Sequence, residues 1–426
     1  MRNKWTGLLP KLLRRVLMSV HAALNRQRIA VPKTGRGPHV DAHAQEDLAG
    51  APYERKYMAI LLLNTLLEVW NAPDAGCKSY TKPSSRENAS LANNPGTLVL
   101  GGIQFNGFCD RFFHPQTTKL LLGAAVDSWD RLRDGAVSCL MKLPSPLPGF
   151  ETPEALLPQL QWACRLLRSP RVRESDAGSR LVCMVYEKYV LGLGWQVQLF
   201  PQCKAKLPES GAYHDPAEAS VIMLSSLSLW LQADIKAGQA DLFHACRQSL
   251  AHGVLLALHY LAPLVPWAGA FGDQGHAAVM RPWLQGLLQL LEEATELALQ
   301  PLSKPQDSNI GAEEVDADDM EAQAEDIPTE EGEREGEGEL APQAQVILTG
   351  CWLTMKEVSL LMGSLATYAP LPAMHGSNSS QEHTLEPQQL ADMGIAFLHI
   401  LTTMKHNGAI DKTQAGFTAL VQRTEV

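Results

Sequence analysis

The 426-residue sequence lacks most of the short signatures by which a chain announces chemistry. It has no GxxxxGKS/T phosphate loop, no GxSxG nucleophile elbow and no HExxH pair, which excludes the familiar nucleotide-hydrolysing, α/β-hydrolase and zinc-protease patterns. No GxGxxG follows a strand; "GLGW" at 192–195 closes a helical stretch, the wrong context for a dinucleotide fold. Its eight cysteines include no CxxC pair, so no spacing suggests zinc, and the chain is too long to need a disulfide framework. Reduced, mostly buried thiols are expected. "HVDAH" sets His39 and His43 four apart without a third ligand, which reads as an exposed polar pair. No uninterrupted apolar run reaches the eighteen residues of a membrane span. The residues therefore point to no metal, no cofactor, no membrane and no catalysis of the chain's own.

Charge is unevenly spread. The formal net charge is −10, yet residues 312–339 alone hold fourteen acids and one arginine, a local −13, so the rest of the chain carries about +3 (−10 minus −13). The first forty residues hold nine Lys and Arg and no acid. This opening segment is basic and amphipathic without a continuous apolar core, which suits a first surface helix or, alternatively, an organelle transit peptide. The cytoplasm is the expected compartment, with an organelle as the alternative.

Helical periodicity dominates what is present. In "RPWLQGLLQLLEEATELALQ", Leu284, Leu287, Leu288, Leu291 and Ala298 share one face. Asp215 and Pro216 suit the start of a helix over "PAEASVIMLSSLSLWLQ", and "DLFHACRQSLAHGVLLALHYLAP" predicts another that stops before Pro263. Leu390, Met393, Phe397, Leu401 and Met404 line a further face, with Asn407-Gly408 as its C-terminal stop. The best strand candidate is "GTLVLGGIQF" at 96–105, weakened by its glycines.

The expected organisation is a basic helical segment over 1–71, a Pro/Asn/Gly-rich insert over 72–116, a helical-repeat region over 117–302, an acidic disordered linker over 303–340 and a second helical-repeat region over 341–426. Two stretches forty residues apart support the repeats. "WDRLRDGAVSCLMKLP" and "SPRVRESDAGSRLVCMV" each run from a polar turn through an arginine into an apolar helix. Arg133 lies forty residues before Arg173, and Ala136 and Leu140 lie forty-one before Ala177 and Leu181. That period suits paired-helix repeats, and the predicted fold is all-α, a HEAT/armadillo-like α-solenoid with long inserts.

Three blocks, "LRSPRVRESDAGSRLVCMVYEKYVLGLGW" (167–195), "CWLTMKEVSLLMGSL" (351–365) and "MKHNGAIDKTQAGF" (404–417), resemble in this order the thyroid adenoma-associated protein family of large helical-repeat proteins. The resemblance implies a non-catalytic partner of a separate tRNA 2′-O-ribose methyltransferase acting at the start of the anticodon loop, with tRNA and that enzyme as partners. It also implies a truncated chain, because family members are much longer and continue past the third block with an Arg-Arg-Ser-Ala-Gly motif. A protein-binding solenoid with no RNA role is the alternative reading.

On this resemblance Arg171, Arg173, Lys356, Lys405 and His406 are the candidate contacts to RNA or enzyme, since guanidinium and ammonium groups pair with phosphate oxygens. Each has a plainer reading. Arg171 or Arg173 pairs with Glu174 or Asp176 and caps the next helix, Lys356 lies on a solvated face, and Lys405 and His406 suit a helix C-terminus. Trp352 is expected in the core with Met355, Val358 and Met362; Glu357 shares that helix. Gly178 and Gly408 are expected to serve the backbone.

Overall fold

The computed structural model describes residues 53–71, 97–100, 103–106, 114–208, 216–267, 275–303, 343–371, 384–405 and 407–424. The basic first forty residues, the His39–His43 pair, His406, nearly all of the acidic 303–340 stretch and most of the 72–116 insert lie outside them. The chain divides into two compact units, residues 1–151 and 152–426.

In the first unit, α1 (Tyr53–Asn71) and α2 (Pro115–Ala124) both pack on α3 (Asp130–Lys142). Ile60, Leu63 and Leu67 meet the Leu132, Ala136 and Leu140 stripe to form the core. The expected strand at 96–105 is instead two strands, β1 (Thr97–Leu100) and β2 (Ile103–Asn106), in antiparallel register with Leu100 opposite Ile103. Gly101-Gly102 separates them, a pair favoured in two-residue hairpin connections.

The second unit is almost wholly helical. Its elements are α4 (Pro153–Leu167), α5 (Val172–Val185), a π-helical turn over Tyr186–Leu191, a hairpin of β3 (Gln196–Gln198) and β4 (Lys204–Lys206), α6 (Pro216–Ala240), α7 (Leu242–Arg247), α8 (His252–Leu261), α9 (Gly275–Leu302), α10 (Gln343–Tyr368), α11 (Pro387–Thr403) and α12 (Asn407–Thr424). α10 is the hub, packing against α7, α8, α9, α11 and α12. By length and composition alone α10 could cross a membrane, but Trp352, Met355, Val358, Leu361 and Leu365 along it are fully buried within the unit. Its apolarity is the consequence of contacting neighbours on all sides. On α9 the predicted stripe is in the core, with Leu288 alone half-exposed.

Two predicted boundaries are corrected. The helix expected to run from Asp241 to Pro263 is two helices, α7 and α8. Ser249 and Leu250 take left-handed φ of 74° and 44°, and the Leu250 N–H reaches back to the Ala245 carbonyl at 2.7 Å. This is the 6→1 hydrogen bond of a helix stop that usually carries glycine; here the buried Leu250 side chain holds the turn instead. The second correction concerns Asn407-Gly408, which does not end α11. That helix stops at Thr403 with Met404 extended (ψ 139°), so Asn407 opens α12 and Gly408 is buried in its first turn.

Candidate nucleic-acid interface and the network behind it

The turn between α4 and α5 is tied to itself. The Ser169 hydroxyl donates to Glu174 Oε2 at 2.6 Å and accepts the Arg171 N–H at 3.2 Å, while Arg171 Nη1 lies 3.3 Å from Glu174 Oε1. Glu174 sits in the first turn of α5, where a carboxylate faces the positive helix end, and Arg168 closes α4, where a cation faces the negative one. Arg171 is the N-cap residue and makes no side-chain cap, so the expected capping role is absent. Arg173 is exposed.

Other cations adjoin these two arginines. Arg165 and Arg168 are exposed on the last turn of α4, the Arg168 guanidinium lying 5.0 Å from the centroid of the Trp230 ring. Lys204 and Lys206 are exposed on β4, which packs against α4. Glu174 and Asp234 are carboxyls set against this group. Burial pushes the Asp234 carboxyl up to about 7, partly opposed by the Arg168 charge, so at neutral pH it only partly offsets the cations. Of the six cations, the sequence reading named Arg171 and Arg173. Arg165, Arg168, Lys204 and Lys206 were missed because nothing in their spacing shows that a hairpin folds back on α4.

Directly behind this turn lies a buried polar network joining α5, α8 and α10. Asp176 ties α5 to α8. Its carboxylate accepts Arg180 Nε at 3.0 and 3.2 Å and the Tyr260 hydroxyl at 2.7 Å. Ser175 Oγ donates to the Val172 carbonyl and lies 3.0 Å from His252 Nε2. Glu357 lies 3.3 Å from His259 Nδ1 and 3.6 Å from the Lys356 ammonium. Burial alone would raise the Glu357 carboxyl. The His259 hydrogen bond and the nearby His252 and Lys356 charges outweigh it and hold the carboxyl below its ordinary range. Lys356 is therefore not on a solvated face: its side chain is 13% exposed and lies over the Trp352 ring at 5.7 Å. Ser175, His252 and Glu357 are each at most 1% exposed. With its hydroxyl hydrogen committed to Val172, Ser175 belongs to an internal brace and not to a nucleophile open to substrate.

The three sequence blocks of the resemblance thus pack together. α5 meets α10 through α8, whose His252, His259 and Tyr260 the sequence reading missed. The available signal was three polar side chains at positions 1, 8 and 9 of an otherwise apolar helix, one face at the helical period. α12 joins at its glycines. A Cβ on Gly416 would strike the Ser359 carbonyl, and one on Gly363 would fall 2.8 Å from Gly416 Cα. Gly178 allows α5 to cross α4, where a Cβ would sit 2.8 Å from the Leu167 nitrogen. Lys405 is exposed, two residues beyond the end of α11. Among the described residues no group of three His, Cys, Asp or Glu side chains is placed to hold a metal.

Residues 282–425, which run from α9 through α12, match the family model described as THADA/TRM732, DUF2428. The chain is similar to the tRNA (32-2'-O)-methyltransferase regulator THADA of Gallus gallus, 37% identical over 79 residues, or 18% of this chain and 4% of that protein. It is also similar to the proteins of that name from Mus musculus, 38% identical over 79 residues, and from Drosophila melanogaster, 35% over 82, covering 4% and 5% of those proteins. The matched stretch thus spans about a twentieth of each relative. The similarity to the THADA/TRM732 family thus lies in the C-terminal helices of this chain.

Proposed function

We propose that this chain is a non-catalytic helical adaptor for tRNA 2′-O-ribose methylation in the anticodon loop. It holds tRNA near a separate methyltransferase in the cytoplasm, and its helices are stacked as HEAT/armadillo-like pairs. The observation that carries the reading is the cation group Arg165, Arg168, Arg171, Arg173, Lys204 and Lys206, set at one helix junction and the hairpin beside it. Guanidinium forks pair with phosphate oxygens, and a folded RNA is recognised largely through its backbone and shape. The junction is braced through α8 to α10, within the family-matched segment. The relatives named as methyltransferase regulators support an enzyme partner. Positioning by such a scaffold lowers the barrier by holding one ribose hydroxyl against the methyl donor of the enzyme, without chemistry from the scaffold.

Two measurements test this. Ribose methylation mapped across total tRNA should lose the first position of the anticodon loop when the gene is removed, with other sites retained. In titrations of the purified chain with an anticodon stem-loop RNA, Arg165→Ala, Arg173→Ala and Lys204→Ala together should reduce the slope of log affinity against log salt by about 2–3. An unchanged slope together with unchanged methylation would leave the protein-binding solenoid as the better reading.

A further inference from the structure

Beneath the cation group, two cysteines from distant parts of the sequence touch. Cys164, on the last turns of α4, and Cys203, immediately before β4, place their Sγ atoms 3.4 Å apart. Both are half-exposed, whereas Cys139, Cys246 and Cys351 are buried. A disulfide needs the sulfurs only about 1.4 Å closer. We propose that Cys164 and Cys203 form a reversible disulfide, with a hydroperoxide as oxidant, that fastens the β3–β4 hairpin to α4.

The two thiols are unequal. The hydrogen bond with Cys164 and the Arg168 charge lower the Cys203 thiol, although its partial burial opposes them. The same hydrogen bond, together with burial, raises Cys164. Cys203 is therefore the attacking thiolate and Cys164 the resolving thiol. In the first step Cys203 Sγ attacks the peroxide: an S–O bond forms, the O–O bond breaks, and the departing alkoxide takes up a proton to leave as alcohol. In the second, Cys164 Sγ attacks Cys203 Sγ: the S–S bond forms, the S–O bond breaks, and hydroxide leaves with the Cys164 proton as water. Two thiols are oxidised by two electrons and the hydroperoxide is reduced to an alcohol and water. A dithiol reductant reverses the change.

The consequence is local. Lys204 follows Cys203 directly, so the bond fixes that cation beside Arg165 and Arg168. This further step rests on the anion-binding reading above; the disulfide itself does not.

The test uses the full chain, exposed to stoichiometric hydrogen peroxide, alkylated and digested without reduction. The expected product is a peptide pair joined through Cys164 and Cys203, abolished by dithiothreitol and absent from both Cys203→Ser and Cys164→Ser variants whose circular dichroism matches the parent. Alkylation of both thiols in untreated proportion, or a bond from either one to Cys183, would overturn the proposal. Titration of the oxidised and reduced chains with the anticodon stem-loop RNA then reads the coupling, with about threefold tighter binding expected of the oxidised form from the ordered hairpin. Equal affinities overturn the coupling while the mapped bond stands. If neither form binds RNA, the adaptor reading is what fails.

Discussion

The turn that opens α3 and the turn that opens α5 share a sequence pattern and use it differently. In both, the apolar half is core: Ala136 and Leu140 in the first unit and Ala177 and Leu181 in the second are all buried. The arginines diverge. Arg133 is buried and spent on its own turn, donating to the Asp127 carbonyl at 3.0 Å and pairing with Asp130. Arg173 is exposed. One position further on in the forty-one-residue register, Val137 is half-exposed where Gly178 lies pressed against the backbone of α4. A shared pattern therefore marks a shared helix start and stripe. It does not mark a shared role for the charge.

Exchanging those register partners gives the largest expected effect. Gly178→Val should destabilise the second unit by about 3 kcal/mol or more, because the new side chain meets backbone that cannot yield. Val137→Gly should cost the first unit only about 1 kcal/mol, from a few tenths of helix propensity and the lost contacts of a half-exposed side chain. Chemical denaturation of each variant measures both; comparable losses would dissolve the distinction. Arg133→Ala should cost about 2 kcal/mol, since it strands buried carbonyls. Arg173→Ala should stay within about 0.5 kcal/mol.

A further effect, confined to the second unit, is a pH dependence. The Asp234 carboxyl ordinarily titrates near 3.8 and is pushed up to about 7 in the fold. The stability contributed by its protonated form is therefore complete below about pH 4 and is lost as pH rises through 7. Asp234→Asn keeps the neutral form, so it should match the parent at pH 4 and exceed it by about 1–2 kcal/mol at pH 8. Thermal unfolding across that range checks it, and a constant offset would remove titration as the cause.

Much of the helical content was legible. The α9 stripe and the burial of Trp352, Met355, Val358 and Met362 follow from period and residue size. The errors fell where a local signal was borrowed by a distant contact. Ser249 and Leu250 stop α7 without glycine because Leu250 is anchored in the core. Asn407-Gly408 starts a helix because the chain has already turned at Met404. Lys356 reads as a surface residue until α8 brings His259 to Glu357 beside it. The candidate site was half legible: Arg171 and Arg173 were visible in one short string, whereas Arg165, Arg168, Lys204 and Lys206 join them only through the hairpin.

The placement of α10 has a consequence for how the protein is made. Synthesis proceeds from the N-terminus, at roughly 5–20 residues per second. The faces of α7, α8 and α9 that α10 covers must wait for Tyr368, 66 residues beyond Leu302, a delay of roughly 3–13 seconds at that pace. During that wait the nascent chain acquires residues 312–339 and their charge of −13. Self-repulsion of that magnitude opposes association between neighbouring nascent chains while their apolar faces are still open. The acidic stretch is thus translated just before the helix that closes the core.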